Sequence, residues 1–190
     1  MTLSAEFERY ALDTERPFTI ARGTTETVEY PVVRIRDGEG NEGIGGAGPA
    51  THYGETAETV EAVLPALLDA VEDVGDPLAL DRIEARLRER VRRNPAARGA
   101  VSVALHDLVA TRADLPLYRY WGLDPDAAPE TSYTLGLDDV DAMRDHAREA
   151  VDRGFSTLKV KLGTDRDREI VRTVRTAAPD AALRVDANEA

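Results

Sequence analysis

The stretch Thr157-Leu158-Lys159-Val160-Lys161-Leu162 is short, apolar and β-branched, and carries lysine at two alternate positions. It reads as a strand. Side chains two apart on a strand point to one face, so both amines share a side. Of the chain's 24 basic residues only these two are lysine. The other 22 are arginine, which stays protonated at any working pH. A chain that avoids lysine elsewhere, yet sets two in one strand, points to an amine that can give up its proton. Repulsion between two close ammonium groups favours that loss. Such an amine can take a proton from carbon.

Working outward, Thr131 to Leu137 and Ala182 to Ala187 also read as strands, with helices at Asp138 to Arg153 and Thr164 to Ala178. Strand centres near Thr134, Val160 and Val185 recur about every 25 residues, as (β/α) units do. Right-handed crossovers make the three strands parallel neighbours. Upstream, strands are expected at Phe7 to Leu12, Glu29 to Arg36 and Glu42 to Gly46, with the polar stretch Arg16 to Thr27 as a loop. Helices follow at Glu55 to Val74, around Leu80 to Val91, and from Pro95 to Ala113, each with an apolar stripe. The glycine-rich stretch Gly43 to Pro49 lacks both the spacing and the lysine of a phosphate loop. It reads as backbone in close packing. The chain thus divides into an α+β domain over residues 1–125 and the start of a barrel or open sheet over 126–190.

Composition narrows the partners. The 190 residues carry a net charge of -12, which argues against nucleic acid, whose phosphates need a basic surface. An acidic, lysine-poor surface resembles that of proteins from salt-loving organisms. There is no cysteine, hence no disulfide, thiolate–zinc site or cysteine nucleophile. His52, His106 and His146 show no zinc spacing. No apolar run is long enough to span a membrane, and residues 1–10 lack the apolar centre of a signal peptide. A cytoplasmic protein without membrane contact is expected.

Parallel strands covered by helices are usually apolar on both faces. Lys159 and Lys161 break that rule on one strand, and Asp186 and Asn188 on the next, in Leu183-Arg184-Val185-Asp186-Ala187-Asn188. All four lie toward the C-terminal strand ends, where barrel active sites are built. Lys-x-Lys closing a second barrel strand and Asp-x-Asn closing a third resemble the enolase superfamily, muconate-lactonizing-enzyme subgroup. Arg98-Gly-Ala-Val-Ser-Val-Ala-Leu-His-Asp-Leu, followed by Pro116-Leu-Tyr-Arg-Tyr-Trp-Gly, is similar to the last capping-domain helices of that subgroup. Within it the dipeptide epimerases are most alike, through Arg16-Pro17-Phe18-Thr-Ile-Ala-Arg22-Gly-Thr, Tyr53-Gly54-Glu55-Thr56 and Thr131-Ser-Tyr-Thr134-Leu-Gly.

The resemblance implies an α+β capping domain followed by a TIM-type barrel, truncated here after its third strand of eight. It implies a small-molecule carboxylate or dipeptide as substrate and admits a homo-oligomer. Lys161 would remove the proton α to a carboxylate, giving an enediolate, with Lys159 beside it. Asp186 would be the first ligand of a Mg²⁺ ion. Arg22, Tyr53, Thr134 and Asn188 would touch substrate, with Arg22 pairing a second carboxylate. Muconate cycloisomerase and o-succinylbenzoate synthase share this chemistry. A non-catalytic module that self-associates, or binds a complementary fragment, is the reading from another class.

Overall fold

The structure, a computed structural model, describes residues 2–188. Its chain forms two compact units: residues up to Leu12 together with Val28–Asp126, and Asp13–Thr27 together with the chain from Ala127 onward. The second unit therefore takes in the stretch 13–27.

A three-stranded sheet, in the first unit except for its stretch 13–27, runs in the order β1 (Leu3–Ile20), β2 (Gly23–Asp37), β3 (Glu42–Gly46). Helices α1 (Ala57–Val74), α2 (Leu80–Arg90), α3 (Pro95–Arg112) and the single turn α4 (Leu117–Tyr120) follow. Alternation decides the sheet's buried face: Val33 and Ile35 are fully buried while Arg36 is exposed. Helix α1 starts at a capping box made by Thr56 and Thr59 and ends on Gly75 in the left-handed region at φ 64°. Its stripe of Val60, Leu64, Leu67 and Val71 packs with Ile83 and Leu87 of α2 and with Val101, Leu105 and Leu108 of α3. The arginines of α2 form ion pairs on its outer side, Arg86 with Glu89, Arg88 with Glu84 and Arg90 with Asp73.

Gly43 and Gly45 lie in a regular strand, β3, and their reason is contact. A Cβ at Gly43 would stand 2.1 Å from the carbonyl oxygen of Ala104, and one at Gly45 2.0 Å from that of Ala100. Helix α3 rests directly on the strand backbone. Gly45→Ala is expected to lower stability by about 1–3 kcal/mol or more, because helix backbone cannot swing aside as a side chain can. A urea midpoint unchanged from the parent would refute this packing.

The second unit holds a parallel sheet in the order β4 (Ser132–Leu135), β5 (Thr157–Lys161), β6 (Ala182–Asp186), with α5 (Val140–Asp152) and α6 (Asp167–Ala177) as the connections. Leu135, Leu158 and Val160 on one sheet face are buried with Met143, Ala147, Ile170 and Val174. Asp139 caps α5 by accepting the Ala142 N–H at 2.8 Å. Helix α6 begins later than its pattern suggests. The Asp167 carboxylate accepts the N–H groups of Gly163 and Thr164 and the Thr164 hydroxyl, holding residues 163–166 in a turn. These bonds, led by the Thr164 N–H, hold the Asp167 carboxyl below its usual range despite partial desolvation.

The expected loop at Arg16 to Thr27 is instead the far end of the β1–β2 hairpin, turning through Ala21 and Arg22. Its polar side chains satisfy one another across the strands: Thr27 donates to Asp13 at 2.8 Å, Thr14 donates to the Glu26 carbonyl at 3.0 Å, and the hydroxyls of Thr19 and Thr24 lie 2.9 Å apart. Both strands face water here, so no apolar alternation marks them and polarity alone does not separate such a hairpin end from a loop.

Candidate active site

The second sheet face carries the polar residues. Register pairs Thr134 with Lys159, Lys159 with Arg184, and Lys161 with Asp186, so these five side chains rise from one side of three adjacent strands. Both amines meet the same carboxylate oxygen. Lys159 Nζ is 2.7 Å and Lys161 Nζ 2.8 Å from Asp186 Oδ2. The Lys161 side chain is buried at 10% exposure, whereas that of Lys159 keeps 36%. The amines are thus unequal: one is enclosed and the other reaches solvent. Repulsion between the two amines is not the whole of their electrostatics. Here an anion stands between, and the charges alternate in sign.

The other oxygen of Asp186 accepts the Asn188 N–H at 2.9 Å. Bonds from Lys159, then Lys161, then this N–H hold the Asp186 carboxyl well below the usual carboxylate range. Asn188 itself is left-handed at φ 49°, a conformation that asparagine tolerates better than most residues. Its side-chain oxygen is buried and meets no hydrogen-bond donor among the described residues. A buried acceptor without a donor is costly, and this one sits two residues from a carboxylate. Asp186 and Asn188 together offer hard oxygen donors of the kind that Mg²⁺ prefers. In kind they fit such a cation. In number they fall short of six, and no cluster of three or more His, Asp, Glu or Cys occurs among the described residues.

One further element bears on the site. The hairpin end runs along the C-terminal ends of β4 and β5: Leu137 N–H donates to the Thr19 carbonyl at 2.8 Å. Ala21 lies against Gly163, two residues beyond Lys161. Arg22, next in the turn, is exposed at the tip. The hairpin is tied to α5 by Arg16, whose guanidinium meets both oxygens of Glu149 at 2.9 and 3.0 Å. Tyr53 belongs to the first unit, on a short 3-10 turn over Thr51–Tyr53, 75% exposed and edge-on to the His52 ring at 5.0 Å.

The structure therefore gathers Lys159, Lys161, Asp186 and Asn188, sets Thr134 on the same face, and puts Arg22 in the same unit. Arg184 shares this face as well. Its signal was the period of two that revealed Asp186. Among the described residues no helix is long and apolar enough to cross a membrane.

Comparison with known proteins agrees with this geometry. Residues 6–122 match the mandelate racemase / muconate lactonizing enzyme N-terminal domain, and 142–190 match the enolase C-terminal domain-like family. The chain belongs to the mandelate racemase / muconate lactonizing enzyme family. Among relatives, an L-Ala-D/L-Glu epimerase of Bacteroides thetaiotaomicron is 36% identical over 96% of this chain and 46% of its own length. An L-Lys-D/L-Arg epimerase of Methylococcus capsulatus is 39% identical over 92% of this chain and 50% of its own. A dipeptide epimerase of Enterococcus faecalis V583, complexed with Mg and the dipeptide L-Leu-L-Tyr, superposes with a TM-score of 0.90 at 32% identity, over 99% of this chain and 54% of that one. The chain spans about half the length of the relatives it matches. Its architecture is that of the family: an α+β capping domain, then strands of a barrel.

Proposed function

We propose that the full-length protein containing this chain is an isomerase that removes and returns the proton α to a carboxylate, acting on a dipeptide of the Ala-Glu type with Mg²⁺ bound. The observation that carries the proposal is the meeting of Lys159 and Lys161 on one oxygen of Asp186, at the C-terminal end of parallel strands.

Lys161, buried and fixed by its strand, holds its amine in one position, the requirement for a group that must meet a C–H bond within hydrogen-bonding reach. In its neutral form that amine accepts the α-proton, and inversion needs a proton delivered from the opposite face of the substrate by a second acid. Lys159, more exposed, presents a positive charge beside it, where negative charge grows on the substrate. Asp186 is the residue that would hold the cation, and the buried Asn188 oxygen, expected from the sequence to touch substrate, is a second donor beside it. When bound, Mg²⁺ supplies Lewis-acid stabilisation to the substrate carboxylate. Thr134 adds a hydroxyl on the same face.

Arg22 gives the substrate class. A guanidinium pairs two-pronged with a carboxylate, and a glutamate side chain presents one. A lysine or arginine side chain there would be repelled, so an acidic dipeptide is favoured over a basic one. Arg22→Met is expected to raise the KM for L-Ala-L-Glu about 10–100-fold, the worth of a charge-assisted bond, and to spare an apolar dipeptide. Unchanged turnover of L-Ala-L-Glu in that variant would remove the acidic assignment.

The reaction itself is tested by incubating the full-length protein with Mg²⁺ and L-Ala-L-Glu in D₂O. Loss of the glutamate α-proton signal by NMR, with appearance of the second diastereomer, is expected. Absence of exchange with any dipeptide would overturn the proposal.

A further inference from the structure

We infer that Gly136 and Gly163, the glycines that follow β4 and β5, form a seat for the hairpin tip and thereby fix where Arg22 stands, which makes both of them positioning residues for substrate selection. The inference rests on the role proposed above for Arg22.

The two glycines meet consecutive parts of the same strand end. A Cβ at Gly136 would lie 3.2 Å from Phe18 Cδ2 and 3.2 Å from the Thr19 carbonyl oxygen. One at Gly163 would lie 2.5 Å from the Ala21 Cβ. Carbon atoms in ordinary contact stand about 3.5–4.0 Å apart. Residues 18 to 21 therefore cross both strand ends at a closeness that a side chain at 163 would block and one at 136 would crowd. The bond from Leu137 N–H to the Thr19 carbonyl, 2.8 Å long, lies between the two contacts.

Neither partner can easily recede. Gly163 adopts φ +127°, which side-chain-bearing residues rarely take. Its N–H donates at 3.1 Å to each oxygen of Asp167, the carboxylate that also binds the N–H and hydroxyl of Thr164. On the other side, Arg16, one guanidinium nitrogen of which donates to both oxygens of Glu149, ties the hairpin to α5. A methyl group at 163 thus presses on Ala21 and the turn that carries Arg22, besides straining its own backbone. The chain connects this contact to chemistry at both ends, since Arg22 follows Ala21 and Lys161 precedes Gly163 by two residues. A methyl at 136 needs only a few tenths of an ångström, so its effect should be graded.

The test uses the full-length protein with Gly163→Ala, Gly136→Ala and the double variant Ala21→Gly/Gly163→Ala. Amide hydrogen exchange over residues 18–24 and steady-state kinetics with L-Ala-L-Glu are read for each. Gly163→Ala is expected to speed exchange at the tip about tenfold or more. It should also raise KM about 10–100-fold with a much smaller change in kcat. Gly136→Ala should move both readings the same way and less. Ala21→Gly, which deletes the opposing methyl, should recover part of the loss in KM. Unchanged exchange and unchanged KM in Gly163→Ala would overturn the seat, as would a fall in kcat alone. If the parent protein turns over no dipeptide, the proposed reaction fails, while the exchange measurements still judge the seat.

Discussion

Lys161→Arg in the full-length protein is expected to reduce α-proton exchange by about 10²–10⁴-fold, the usual contribution of a positioned general base. Arginine keeps the positive charge beside Asp186 and so preserves the electrostatic partner of a carboxylate now 2.8 Å from the lysine amine. What it cannot do is give up a proton at working pH. The substitution therefore separates charge from basicity. Since position 161 is buried, Lys161→Gln serves as the second variant, smaller than arginine and also without a basic nitrogen. Lys159→Arg is the contrast. That side chain reaches solvent and contributes a charge in the proposed scheme, so its arginine variant should lose far less. The thermal midpoint of each variant, compared with the parent, shows whether the sheet has survived. If Lys159→Arg loses more exchange than Lys161→Arg, the two roles must be exchanged. If neither lowers it, the cluster is not the base.

The same cluster shows why part of this protein is legible in its sequence. On β5 and β6 the polar residues recur with a period of two inside strands that are otherwise apolar, so the pattern and the chemistry point the same way. Rarity helped, because lysine occurs nowhere else in the chain. The helices of the first unit were equally plain, their stripes matching the buried residues of α1, α2 and α3. The hairpin end was not. Its threonines and acids look like a solvated loop until their partners across the strand are known, and those partners lie 5 to 14 residues away in sequence. Nor could spacing reveal that Asp186 would sit between two amines, since that depends on the register of β5 against β6. The seat at Gly136 and Gly163 was hidden for a related reason: a glycine states that something is close, and only the structure states what.

The largest loss of stability is expected from Asp37→Ala, about 3 kcal/mol or more, because it breaks one side of a buried charge pair. Asp37 ends β2, and its side chain is fully buried. One oxygen accepts the N–H groups of Glu39 at 2.8 Å and Asn41 at 3.0 Å, and the other accepts the Asn41 side-chain amide at 2.9 Å and the guanidinium of Arg112 from the end of α3. One carboxylate thus closes the β2–β3 turn and ties it to a helix. Burial alone would raise its pKa, but the bonds from Asn41, Arg112 and Glu39 outweigh it and hold the group well below the usual range. The sign of the pH dependence follows. A carboxyl with a lower pKa in the folded state than in the unfolded chain stabilises the fold fully above the unfolded value, about 3.9 for aspartate. That contribution is lost progressively as pH falls below it. Glu58, held at about 2 by its own backbone N–H, Thr56 and Arg9, adds loss in the same window. It does so in parent and variant alike, so the difference between the two isolates Asp37. In urea melts from pH 7 down to 2, the gap between parent and Asp37→Ala should be widest at pH 7 and narrow steadily below pH 4. Added salt should leave most of the gap at pH 7, since a buried pair is poorly screened. A gap that stayed constant with pH would mean that Asp37 acts through its shape and not its charge.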